Sequence, residues 1–260
     1  MGRLIRNSRM RRRKKRNNTI WWLVGILGLL TVLCLLALWT AAGMATSRVG
    51  EAVKPLVSIQ RDGYILRKYP AHTVAATVVE GERYTRAMFR GFEVLNRYIS
   101  GNNDQKKRIP MTAPVLQGMR EKGEGFEIAF ILPGDLEGSG GAPQPADKRV
   151  WIDRRPPMFM AVRPFSGYAT SEYAAEQIAI LKDLLERDGI QTARPPAVAQ
   201  FDPPWTPPFM RYNEIWWPVY PPSLTPEEQE KAGNITPENG PEQMTTDAIP
   251  SGTRPTGGPQ

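Results

Sequence analysis

Apolar positions fall into three patterns along the chain. The first is a continuous run: IWWLVGILGLLTVLCLLALWTAAGMA, residues 20–45, holds no charged side chain. As a helix its 26 residues would reach ~39 Å, ample for a tilted membrane span. Trp21, Trp22 and Trp39 suit the two interfacial belts. The second pattern is alternation or short β-branched and aromatic runs, which predict strands at YILRKY (64–69), HTVAATVV (72–79), FEIAFIL (126–132), residues 149–155 and MFMAVRPF (158–165). The third has helical spacing. Residues 83–99 place Met88, Phe92, Leu95 and Ile99 on one stripe, and residues 171–190 do the same with Tyr173, Ala174, Ile178, Leu181 and Leu185. Gly101-Asn102-Asn103-Asp104 stops the first of these helices and Gly189 the second.

The two halves resemble copies. Pro70 and Pro156, Ala75 and Ala161, and Gly81 and Gly167 are each 86 residues apart, and each half runs from two strands into a helix. The pattern predicts two strand-strand-helix-strand units joined in one antiparallel α+β domain. Between the halves KKRIPMTAPVL, residues 106–116, carries two prolines that bias Ile109 and Ala113 toward extended backbone. It holds no acid, base or thiol of use to a mechanism, so it predicts a stiff strand entry with Ile109, Met111, Ala113 and Val115 on one face and Thr112 on the other.

Composition divides the rest. With 34 Lys and Arg against 26 Asp and Glu, the formal charge of +8 would fit a nucleic-acid binder. Nine of the basic residues, however, lie before Ile20, leaving 25 against 26 acidic residues beyond it. The excess is an N-terminal arm beside an apolar span, and no nucleic-acid partner is expected. Only Arg48 follows closely behind the span, so the positive-inside rule predicts a single-pass membrane protein with a cytoplasmic N-terminus and an extracytoplasmic C-terminal domain. The apolar run exceeds the ~7–15 residues of a cleaved signal peptide, which favours a retained anchor. The expected organisation is a basic arm (1–19), a transmembrane signal anchor (20–45), a linker (46–55), a folded domain (56–220) and a Pro/Gly/Glu-rich disordered tail (221–260).

The sole cysteine, Cys34, lies within the span, so the exported domain has neither a disulfide nor a thiol nucleophile. No Gly-x-Ser-x-Gly elbow, P-loop or dinucleotide fingerprint occurs, and no enzyme is expected.

IPMTAPV closely resembles the signature of the SOUL haem-binding family. YILRKYPAHTVAATVV, AMFRGFEVLNRYISGNND, FEIAFILP, PQPADKRVWIDRRPPMFMAVRPFSGYA and FDPPWTPPFMRYNEIWW follow in that family's order, over residues 60–218. The resemblance implies an α+β fold, a distorted barrel of two βαββ repeats, and non-covalent binding of haem or a related porphyrin in an apolar groove. It makes the Met88, Phe92 and Leu95 stripe a ligand wall, with Arg90 and Arg97 as cationic heads for the propionates. Where some members have an axial histidine in Tyr-x-x-Arg-His-Tyr, this chain has Lys68. His72, four residues on, is its only histidine and the remaining imidazole candidate. The expected function is a membrane-anchored tetrapyrrole buffer or carrier. The alternative is an interaction scaffold of the same fold without haem, engaging another apolar ligand or an unidentified protein partner.

Overall fold

The computed structural model describes residues 20–40, 50, 53–120, 124–137, 141–226 and 228. The basic arm, residues 41–45 of the expected anchor, most of the linker and residues 231–260 of the expected tail lie outside them. The uncharged run forms one helix, α1 (Ile20–Thr40), long and apolar enough to cross a membrane.

The domain follows as β1 (Val57–Arg61), β2 (Tyr64–Tyr69), β3 (His72–Val79), α2 (Tyr84–Ile99), β4 (Val115–Met119), β5 (Phe126–Ile131), β6 (Val150–Arg155), β7 (Met158–Ser166), α3 (Ser171–Arg187), β8 (Ala197–Gln200) and β9 (Tyr212–Val219). Local chemistry sets the ends of these elements. Asp62-Gly63 closes the β1–β2 hairpin in two residues, with Gly63 at φ 88° as such a turn requires. Thr170 caps α3 by accepting from the Tyr173 N–H at 3.2 Å. Beyond α2 the fully buried Asn103 takes over from the helix: its Nδ2 donates to the carbonyls of Tyr98 and Lys107, and its Oδ1 accepts from the Lys107 N–H.

All nine strands join one antiparallel sheet in the order β1-β2-β7-β9-β8-β4-β5-β3-β6. Without β1 the order is symmetric. Strands β2, β3, β4 and β5 of one repeat occupy places equivalent to β6, β7, β8 and β9 of the other, and β2 and β6 start 86 residues apart, at Tyr64 and Val150. Each repeat's first strand pairs with the second strand of the other repeat, β2 with β7 and β6 with β3, and β4 joins β8 at the centre. The α+β, two-repeat architecture expected from the sequence is therefore present, with the helix of each repeat followed by two strands.

Strand alternation separates two faces. On one, α2 packs Leu95, Tyr98 and Ile99 against Ile128 and Phe130, while α3 packs Leu181 and Leu185 against Leu66, Ala161 and Ile215. On the other, Tyr69, Val74, Ala76, Ala129, Val162 and Trp216 form a single cluster drawn from both repeats. Residues from opposite halves meet on that face because the sheet curls onto itself, as in a barrel. No ladder joins β1 to β6 among the described residues, so the sheet stays open.

Candidate functional site

A cavity of about 920 Å³ lies beside α2, within the size range of small-molecule sites. Three parts of the chain build most of it. Helix α2 contributes Tyr84, Met88 and Phe92, at the i, i+4 and i+8 spacing that keeps side chains on one face, with Phe89 beside them. The proline-bracketed segment contributes Met111, Thr112, Ala113 and Val115, and the loop between β8 and β9 contributes Phe201, Pro203, Pro204, Trp205 and Arg211. Tyr168, from the turn before α3, completes that side.

The stiff segment thus forms a wall. Ile109 is buried in the core, as its parity predicts, but Met111 and Thr112 both line the cavity although they are neighbours. Strict alternation fails because regular strand pairing begins only at Val115; before it, Thr112 Oγ1 donates to the Ile131 carbonyl.

Met88 and Phe92 stand where the sequence expects them, Phe92 with its ring edge-on to Phe130 at 5.3 Å. Leu95 lies on the same helix but is fully buried against the sheet and is not among the cavity residues, although its neighbour Asn96 is. Arg90 and Arg97 are half-exposed and face away from it. They pair with Glu82 at 3.3 Å and Glu93 at 3.6 Å, because the polar face of an amphipathic helix lies opposite its apolar stripe. His72 is buried on β3, with Nδ1 3.0 Å from the Pro70 carbonyl, and is not among the cavity residues. Lys68 lies over the Phe159 ring at 5.7 Å, also away from the cavity.

Three polar groups in the wall escaped sequence reasoning. Gln117 is 1% exposed; its Nε2 donates to the Tyr84 carbonyl at 2.7 Å, while its Oε1 has no hydrogen-bond partner among the described residues. The Tyr84 hydroxyl is likewise buried without a hydrogen-bond partner among the described residues, and burial raises its pKa well above the ordinary tyrosine value, so it remains a neutral donor. Arg211 is 7% exposed, and burial lowers its guanidinium pKa. Gln117 could have been noticed as a polar residue at an inward position of a strand, and Arg211 as a cation inside a run of Pro and aromatic residues.

At the cavity's outer edge Trp205 is 57% exposed. Its carbonyl accepts a hydrogen bond from the Trp39 indole at the end of α1, at 2.8 Å.

The cavity's size and lining suit an apolar ligand with a few polar groups. No imidazole or thiol lines it; thioethers and phenols are the iron-ligating types present, at Met88, Met111, Tyr84 and Tyr168. Comparison with known proteins adds a family. Residues 54–218 match the model of the SOUL heme-binding protein family. Human "Heme-binding protein 2" is 30% identical over 155 residues, covering 57% of this chain and 74% of the relative. Mouse "Heme-binding protein 2" is 28% identical over 154 residues, with 57% and 72% covered. Among solved structures, the EcmrR C-terminal domain aligns with a TM-score of 0.47 at 13% identity, over 60% of this chain and 95% of that one.

Proposed function

The chain belongs to the SOUL heme-binding protein family, and from that membership we propose that it is a membrane-anchored tetrapyrrole-binding protein that holds haem or a related porphyrin non-covalently in the cavity beside α2. The observation that carries the proposal is the match between family and cavity: an apolar space of about 920 Å³ walled by Met88, Phe89, Phe92 and the family's own IPMTAPV segment. Phe89, Phe92 and Met88 would press on the macrocycle's face. Burial of an apolar disc supplies most of the affinity, and the polar groups fix its orientation. A bound haem would supply iron, and the role proposed for the protein is storage or carriage.

Two features support anchoring. Nine basic residues precede the apolar helix and only Arg48 closely follows it, which favours a cytoplasmic arm and an extracytoplasmic domain. The Trp39 bond to the Trp205 carbonyl links the end of that helix to the cavity's edge, so a ligand dissolved in the membrane would have a short way to travel.

The test is titration of the full chain, in detergent micelles, with hemin. A saturable Soret shift at one equivalent, absent from empty micelles, is the expected result. A linear, micelle-like response would overturn haem binding and leave the cavity to another apolar ligand, a reading favoured by the position of His72 outside it.

A further inference from the structure

Arg211 is a buried cation whose hydrogen bonds, among the described residues, all go to backbone carbonyls. Its Nε donates to the Thr206 carbonyl at 3.0 Å, and its Nη2 donates to the carbonyls of Pro203, at 3.3 Å, and Pro204. The Tyr168 ring lies beneath the guanidinium, its centroid 4.4 Å from Cζ. These contacts fix one edge and one face of the group. They leave Nη1, with two N–H donors, free of any hydrogen bond among the described residues. No carboxylate there lies within ion-pair distance of Arg211, whereas the similarly buried Arg67 faces Glu214. Asp202, a carboxylate that also lines the cavity, lies near enough to favour the charge, but it accepts from the Tyr212 N–H at 2.7 Å and makes no ion pair with Arg211. The cavity's other unpartnered polar atoms, Gln117 Oε1 and the Tyr84 hydroxyl, are neutral and cannot balance a guanidinium.

A guanidinium held rigidly, nearly out of water, with free donors in the wall of an apolar cavity is an incomplete ion pair. We propose that Arg211 binds the carboxylate of the cavity's ligand, so that the site takes an apolar body carrying a carboxylate. The inference rests on the cavity being the ligand site and names its cationic group. Haem propionates and the head of a fatty acid share this chemistry. Arg90 and Arg97, each already paired with a glutamate and exposed, lack it.

Because Arg211 also gathers the carbonyls of its own loop, the test separates ligand charge from loop structure. Full chain in micelles is titrated with hemin and with hemin dimethyl ester, and in parallel with a fluorescent fatty acid and its methyl ester. The wild type should bind the acid of at least one pair about tenfold more tightly than its ester, the worth of a charge-assisted bond. Arg211→Gln should remove that preference by weakening the acid and leaving the ester unchanged, and Arg211→Lys should retain part of it. Equal weakening of acid and ester would mean that the residue only holds the loop, and would overturn the inference. So would a wild type indifferent to esterification, a result that needs no variant to fold. Preference for hemin over its ester supports both readings. An Arg211-dependent preference for the fatty acid with no hemin binding would keep this inference and remove the tetrapyrrole. Failure of all four probes would remove both.

Discussion

Arg67 on β2 and Glu214 on β9 meet across the intervening strand β7, with Arg67 Nη1 2.9 and 3.0 Å from the two carboxylate oxygens. The Glu214 side chain is 1% exposed, and it also accepts from the hydroxyl of Tyr212 and the indole of Trp216. The Trp216 ring stacks on Tyr69 at 4.7 Å. A polar network therefore sits in the middle of the cluster where the two repeats meet.

Removing one partner of such a pair leaves the other charge buried. Glu214→Gln should destabilise the domain by about 3 kcal/mol, and replacing both residues together, Arg67→Met with Glu214→Leu, should recover most of that loss. Urea unfolding followed by circular dichroism decides. A double variant no better than the single would show that the network's hydrogen bonds, rather than the unpaired charge, carry the effect.

Gly91 lies at the contact between α2 and β5. A Cβ there would come within 2.6 Å of Ile128 Cγ1 and 2.7 Å of Ile128 Cβ, close to the strand backbone, where little can yield. Alanine gains about 1 kcal/mol in an ordinary helix interior, but overpacking costs about 1–3 kcal/mol. Gly91→Ala should therefore lower the midpoint of thermal unfolding, whereas exposed glycine positions in helices normally raise it. An increase would mean that α2 lifts from the sheet at no cost.

Hemin affinity should respond to the wall and not to the histidine. His72→Ala is expected to leave affinity within about threefold, less than ~1 kcal/mol, while Phe92→Ala weakens it by more. Near-ultraviolet circular dichroism must first show both variants folded. Loss of the Soret shift in a folded His72→Ala variant, with Phe92→Ala silent, would make His72 an iron ligand and place the haem outside this cavity.

The charge asymmetry across α1 gives a prediction for the intact cell. Protease added outside should digest the domain in a chain that resists alkaline carbonate extraction from the membrane. Protection until lysis would reverse the orientation, and extraction by carbonate would argue for cleavage of the apolar segment.

Much of the fold was legible because it depends on local periodicity. The apolar run, both helices, the strands β2, β3, β5, β6 and β7, and the 86-residue duplication follow from spacing alone. Strand β1, and β8 and β9 within the proline-rich closing stretch, were missed. Prolines suppress the local strand signal there, and these strands are held chiefly by pairing with distant partners, such as β9 with β7 over eight register positions.

The site divides along the same line. Sequence periodicity placed Met88 and Phe92 on one helical face, and the face survives folding because a helix fixes its own geometry. It could not say which side chains of the helix the sheet would cover, which leaves Leu95 in the core while Met88 and Asn96 reach the cavity. Nor could it say which arginine would lose its water. Arg90 and Arg97 find glutamates within a turn, a local event, whereas Arg211 is buried by carbonyls of its own loop, the Tyr168 ring and a cavity wall brought together from both repeats. Charge and periodicity are properties of the chain; desolvation depends on what the fold brings alongside, and only the tertiary structure decided it.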